Sequence, residues 1–219
     1  MHDSIKKLLN DNQITCFGYS AVSSPFEGLD TAITIVVPLS NPVIDQIDTA
    51  PTHTYFSHYR SVNAFIDNIE QRLVLFLMNN GYEAAAVPAS QSVNGYSGIF
   101  SHKMAAVRAG LGYIGKSALF VSDKFGPRVR LGTVFTNAPL PVSQCEQVDK
   151  CGGCNVCRDK CPAMAISGKA FCEGMNREDI FDAAACSNYM KKQFQHIGRG
   201  AVCGICIKHC PKGRSSANE

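Results

Sequence analysis

Long apolar stretches are missing from this chain of 219 residues. The longest, Leu73 to Met78, falls far short of the roughly 18 apolar residues that a membrane-spanning helix needs. The N-terminus, Met1 to Cys16, carries Lys6, Lys7, Leu8 and Leu9 but no apolar segment ahead of a small-residue cleavage site, and no twin-arginine signal. We therefore expect no leader peptide, no membrane partner and a cytoplasmic location. No repeat at a solenoid period and no low-complexity segment is found. Charge is scarce as well: residues 1–144 hold ten Lys+Arg against ten Asp+Glu, and the whole net charge of +3 comes from eleven against eight in 145–219. Without a concentrated basic stripe, nucleic acid is not an expected partner. What remains, 45% hydrophobic and 18% charged residues, suits a folded protein with a core and excludes wholesale disorder.

Cysteine is nearly absent from the first two thirds of the chain, where Cys16 stands alone, and ten of eleven lie between Cys145 and Cys210. So uneven a distribution points to a local device. In a reducing compartment it points to metal or redox chemistry before disulfides.

The first region reads as mixed α/β. Ala32 to Val37, closed by Pro38, is a β-branched run expected to be a buried strand. A proline-marked loop, Asn41 to His53, follows. From Tyr55 to Asn80 the apolar residues Val62, Phe65, Ile66, Ile69, Leu73, Phe76 and Leu77 recur at three- and four-residue steps, which predicts a helix ending at Gly81. Further expectations are a strand at Ala84–Val87, a helix at Ser101–Ala109, and a hairpin of Ala118–Val121 with Arg128–Thr136 around Ser122–Pro127. The segment Asn137-Ala138-Pro139-Leu140-Pro141 breaks the pattern. It divides the chain into a domain of residues 1–141 for a cofactor or substrate and a small cysteine-rich domain of residues 142–219.

Cys151, Cys154, Cys157 and Cys161 are spaced by three, three and four, with Pro162 next; Cys203, Cys206 and Cys210 are spaced by three and four, with Pro211 next. This is the bacterial ferredoxin run, in which the fourth cysteine ligates the other [4Fe-4S] cluster. Two-residue spacers let a tight turn aim successive sulfurs inward, and the proline turns the chain away. Cys151, Cys154, Cys157 and Cys210 then hold one cluster. Cys161, Cys203 and Cys206 hold the second, with Cys172 or Cys186 as its fourth ligand. The basic excess of this region partly offsets the anionic charge of such clusters. Zinc sites show separated pairs or histidine ligands and fit the spacing poorly.

Gly110, Gly112 and Gly115 satisfy the dinucleotide pattern G-x-G-x-x-G. That pattern needs a strand before it, a helix after it and an acid about twenty residues on. Here the order of helix and strand is reversed and no acid stands in Arg128–Thr136, so nicotinamide binding is not expected. The glycines instead mark close backbone approach or positive φ.

The segment from Ala105 through Ala109-Gly110-Leu111-Gly112-Tyr113-Ile114-Gly115-Lys116, continuing to Arg130–Thr136, resembles epoxyqueuosine reductases, which are related to corrinoid-dependent reductive dehalogenases. The cysteine block and the isolated Cys186-Ser187-Asn188-Tyr189 follow in the order of that family, and this resemblance selects Cys186 over Cys172. It implies an α+β architecture, a nitroreductase-like mixed α/β domain followed by a ferredoxin-like domain with two [4Fe-4S] clusters. It also implies electrons delivered to a cobalamin near Gly110, Gly112, Gly115 and Lys116. A ferredoxin or flavodoxin would be the electron donor and a small molecule or corrinoid the acceptor. The family's proton-donating aspartate maps onto Tyr96, where no carboxylate stands. Tyrosine does this work in the dehalogenases, so Tyr96 takes the general-acid role, against the plainer reading of a half-buried aromatic. The activity implied is that of a reductase, with an electron-transfer protein lacking its own catalytic centre as the rival. His102 reads as a helix-surface histidine, His209 as a flank of the cluster, and Cys16, Cys145 and Cys172 as incidental thiols.

Overall fold

The computed structural model describes residues 1–93 and 95–214. Its contacts divide the chain into two units, each assembled from three stretches. The first comprises Met1–Val37, Val62–Gly112 and Arg130–Glu146; the second comprises Pro38–Ser61, Tyr113–Val129 and Gln147–Glu219. Each unit is therefore discontinuous in sequence.

The first unit is built on a sheet of four strands. β1 (Phe17–Ala21) pairs antiparallel with β2 (Thr31–Pro38), β6 (Val129–Thr136) lies next to β2, and β3 (Ala84–Val87) pairs antiparallel with β6. The β-branched run of β2 is buried from Ala32 to Val37, as an almost wholly apolar run requires, and its one polar member, Thr34, lies 3.5 Å from the Thr133 hydroxyl. α1 (His2–Asp11) inserts Ile5 and Leu9, both fully buried. A core of Leu29, Ala32, Val87, Ala105 and Phe135 is extended by Phe26 and Phe100. The rings of Phe100 and Phe135 meet edge to face, 4.7 Å apart. α4 (His102–Arg108) follows Ser101 and approaches β1 closely at Gly18, where a Cβ would stand 3.0 Å from that of Ala109.

α3 (His53–Asn79) is the long helix expected from the periodicity. It ends in a left-handed Gly81 (φ 83°), with the Tyr82 amide reaching back to the Leu77 carbonyl. Its buried face differs from the apolar stripe that the sequence suggests. Val62, Ile66, Ile69, Leu73 and Leu77 are buried, but Phe65 is exposed, and the polar Asn63 and Glu70 take core positions instead.

Two further expectations fail. The stretch after Ser40 is not wholly loop: Pro42 in the first turn starts a short helix, α2 (Asn41–Asp45). The hairpin of Ala118–Val121 with Arg128–Thr136 does not form either. β5 (Phe120–Ser122) pairs with a strand the sequence reading missed, β4 (Gly112–Ile114), while β6 joins the larger sheet. The turn after β5 closes on itself through paired Ser122 and Gly126 backbones, which leaves β6 free to pair elsewhere.

The second unit also carries α5 (Val156–Asp159), α6 (Ala183–Gln193) and α7 (Ile205–His209), with 3-10 turns at Arg177–Asp179, Gly198–Gly200 and Pro211–Arg214. Its separate stretches are fastened by Arg128, 2% exposed, which donates to Asn41 (2.8 Å) and to Asp45 Oδ1 (2.9 Å). Lys208 of α7 reaches the same Asp45 oxygen at 3.0 Å. Two cations on one carboxylate hold its acid form down to about 2. Among the described residues, no helix is long and apolar enough to cross a membrane.

Candidate metal centres

Short helices aim the cysteines. Cys151 and Cys154 are joined by a turn in which the Cys154 amide donates to the Cys151 carbonyl, and Gly152 supplies its positive φ (53°). Cys157 lies in α5 and Cys161 just beyond it. Cys203 precedes α7, Cys206 lies within it and Cys210 caps its end. α7 begins at Gly204 (φ 79°), where a Cβ would press on Ile47 and Tyr55, so only glycine starts this helix here. Cys186 rides the first turn of α6, whose N-cap, Asp182, accepts from the Ala185 amide at 2.8 Å.

The thiols gather in two groups. Burial pushes the Cys157 thiol up, and Cys151, Cys210 and Cys154 push it further. Burial does the same to Cys210, whose charged neighbours are Cys151 and Cys154. In the second group burial lifts Cys186 to about 11, with Cys203 and Cys161 adding to it. Cys206 is raised by burial and then by Cys203, Cys186 and Cys161. Cys157 is also within electrostatic reach of Cys206, so the groups adjoin.

Eight thiolates crowded in this way repel one another and need a cationic centre before they can ionise. Backbone amides already favour the anionic form: Ile205 points its N–H at Cys203, and Lys212 and Gly213 point theirs at Cys210. An all-sulfur donor set with N–H donors aimed at it fits an iron–sulfur centre. Among the described residues, no three His, Cys, Asp or Glu side chains converge on a point suited to one metal ion.

The glycine-rich segment divides. Gly115 and Lys116 face the first group: the absent Cβ of Gly115 would stand 3.4 Å from Cys151 Sγ, and the buried Lys116 ammonium donates to the Gly152 carbonyl at 2.7 Å. Gln147 clamps this stretch, accepting from the Ile114 amide and donating to its carbonyl. The Tyr113 hydroxyl is buried without a conventional hydrogen-bond partner. Burial, then the neighbouring Cys151, holds the phenol above the ordinary tyrosine range. Gly110 (φ 73°) belongs to the other unit, where Cys145 Sγ would stand 3.0 Å from a Cβ at this position. Gly112, with φ 156°, opens β4.

Tyr96 is 44% exposed, more open than a half-buried aromatic, on the turn closed by the Val93 amide and the Ser97 carbonyl. Cys145 and Cys172 are exposed, outside both groups. His102 is not a free surface histidine. Its Nδ1 lies 2.9 Å from Thr133 Oγ1 and its Nε2 lies 3.2 Å from the Pro88 carbonyl. Burial lowers its pKa to about 4. The neutral ring accepts from Thr133 and donates to Pro88.

The sequence reading also missed Glu70. It is 1% exposed, accepts from the Thr133 amide and is pushed up by burial to about 9. Gly132 leaves room for it, since a Cβ there would stand 2.6 Å from Glu70 Oε1. The signal was an acid four residues after Ile66 on the apolar stripe of α3. The first unit also holds a cavity of about 400 Å³ lined by Ala21, Val22, Phe100 and Met104, with Ser23, Arg108 and Gln144 supplying polar atoms.

Residues 150–213 match the family described as a 4Fe-4S double cluster binding domain. An epoxyqueuosine reductase of Staphylococcus aureus is 30% identical over 125 residues, covering 56% of this chain and 32% of the relative. A tetrachloroethene reductive dehalogenase of Desulfitobacterium hafniense is 25% identical over 220 residues, covering 94% of this chain and 38% of the relative. The chain is an iron–sulfur protein related to epoxyqueuosine reductases and reductive dehalogenases. It carries two [4Fe-4S] clusters and spans about a third of the length of these relatives. A solved reductive dehalogenase, whose structure suggests a mechanism for B12-dependent dehalogenation, shares the fold with a TM-score of 0.73 and 20% identity, over 98% of this chain and 32% of that one.

Proposed function

We propose that the chain is a reductase in which Cys151, Cys154, Cys157 and Cys210 hold one cluster and Cys161, Cys186, Cys203 and Cys206 the other. The two would relay single electrons to a substrate or corrinoid in the first unit. The observation that carries this reading is the pair of adjoining all-thiol groups, linked by the reach of Cys157 to Cys206. Such clusters store one electron each, at potentials set by charge, exposure and hydrogen bonds to sulfur. The chain's own contribution is then to space the groups on α5, α6 and α7, to supply N–H donors, and to bury a lysine ammonium beside the Cys151 loop.

The cavity of about 400 Å³ in the first unit suits a substrate of modest size. By itself it is too small for a whole cobalamin. What supports a corrinoid is the kinship with B12-dependent dehalogenation. Tyr96, on its exposed turn, is the proposed proton donor. The small cavity also favours a second reading, an electron-transfer protein that hands its electrons to a partner.

Anaerobic analysis of purified protein tests the first claim: about eight irons per chain are expected from two cubes, and four irons, or zinc, would overturn it. Cys186→Ser should change the paramagnetic-resonance signature of one cluster and spare the other. Incubation with cob(II)alamin separates the two functions. A base-off spectrum supports the reductase, whereas no binding together with reduction of a partner protein supports the carrier.

A further inference from the structure

Between Asp182 and Glu219 the chain has no carboxylate side chain and six Lys or Arg. One of them, Lys208, is committed to Asp45. Lys191, Lys192 and Arg199 are exposed and have no ion pair among the described residues. Arg199 helps line a cavity of about 550 Å³ together with Phe56, Arg60, Gln195, His196 and Gly198, and no carboxylate lines it. The Arg60 guanidinium sits over the Phe56 ring, 5.6 Å from its centroid.

Arg199 is held there at a conformational cost. Gly198, Arg199 and Gly200 are all left-handed, with φ of 57°, 58° and 69°. A Cβ on Gly198 would run into the Phe56 ring, and one on Gly200 would stand 2.6 Å from the Met190 carbonyl. The turn is thus fastened to the start of α3 and the end of α6 by contacts that only glycine permits, and the residue between them is an arginine where glycine or asparagine would relieve strain.

These cations flank the second thiol group. Arg199 is four residues from Cys203, which limits the Cα separation to about 14 Å. Lys191 is five residues from Cys186 on the same helix, about 7.5 Å along its axis.

We propose that this face, Arg60, His196 and Arg199 with Lys191 and Lys192, is the docking site of a small acidic electron-carrier protein that loads the cluster at Cys161, Cys186, Cys203 and Cys206. The proposal rests on the relay reading and adds the point of electron entry. Redox complexes of this kind are small and transient, and they depend on charge steering, which makes association fast at low salt and slow at high salt. One electron leaves the reduced carrier and reduces the oxidised cluster, and no bond is made or broken.

The test is anaerobic stopped-flow reduction of the cluster-loaded protein by a reduced acidic ferredoxin at several salt concentrations. Arg60→Glu and Arg199→Glu should each slow association at low salt by about ten-fold and flatten its salt dependence. Arg199→Gly, which suits the left-handed backbone, should give a smaller loss in the same direction. Iron content and reduction by dithionite should match the parent in all three. Unchanged ferredoxin kinetics and salt dependence in the charge-reversed proteins would overturn the proposal. So would loss of binding to a tRNA stem-loop with ferredoxin kinetics intact, which would assign the face to RNA. A parent protein that lacks two clusters reducible by dithionite refutes the relay itself, a distinguishable result.

Discussion

Glu70→Gln is the sharpest test of the physics of the first unit. Burial lifts the carboxyl from its ordinary 4.5 to about 9, against the opposing pull of the Thr133 amide and with a smaller push from Asp67. The folded state therefore binds this proton more tightly than the unfolded chain. Its stabilising effect is complete below pH 4.5 and is lost as pH rises towards 9. At about 1.4 kcal/mol per pH unit, the penalty accumulated by pH 7 is roughly 3 kcal/mol. Glutamine keeps the acceptor for Thr133 and has no proton to lose. Allowing about 1 kcal/mol for an imperfectly placed amide, Glu70→Gln should be near neutral at pH 5 and more stable than the parent by roughly 2 kcal/mol at pH 7, a rise of about 4–8 °C in unfolding midpoint for a chain of this size. His102 works in the opposite sense: its pKa, lowered to about 4, makes stability fall as pH drops below 6.5. That effect is shared by both proteins and cancels in their difference. Anaerobic thermal unfolding at one heating rate, from pH 5 to 8, measures that difference. Parallel curves would show that Glu70 is ionised and held by a partner, and the reasoning would fail.

The buried Tyr113 hydroxyl faces the Cys151 sulfur, so Tyr113→Phe should lower the midpoint potential of the cluster proposed at Cys151 in a redox titration and leave the other unchanged. Arg128→Met should destabilise the second unit by roughly 2–3 kcal/mol in urea unfolding, because it removes a buried guanidinium from Asp45 and Asn41. Asp45, held at about 2, contributes stability that is present above its ordinary value and lost as pH falls through 2. Acid unfolding of Asp45→Asn should accordingly differ from the parent most at neutral pH and least at pH 2. Gly126→Ala should cost about 2 kcal/mol or more, since φ is 62° there and a Cβ would meet the Lys212 carbonyl.

Much of the fold was legible where one local rule decides. The run Ala32–Val37 reads as buried because it is apolar on both faces save for Thr34, and α3 followed from its period and from Gly81. The hairpin was misread because strands that adjoin in sequence usually pair. A closed turn at Ser122–Gly126 released β6 to partners more than forty residues away in chain order, β3 and β2. Phe65 fits the period of α3 yet lies exposed, and Glu70 is buried, because burying an acid depends on a distant amide donor at Thr133 and on the room that Gly132 leaves.

The sequence alone determined the cofactor class, since cysteine spacing is a local property: two-residue gaps and a following proline fix where neighbouring sulfurs can point, whatever surrounds them. It also determined that such chemistry is confined to one region. Only the tertiary structure decided what the glycines near Gly110 are for, bringing Cys145 to one and Cys151 to another. It alone placed a carboxyl acid on the Thr133 amide and a histidine on the Thr133 hydroxyl, and set two arginines from residues 60 and 199 around one cavity. Those meetings join residues distant in the chain, and no local pattern records which distant segments will share a dry or a charged surface once the core has closed.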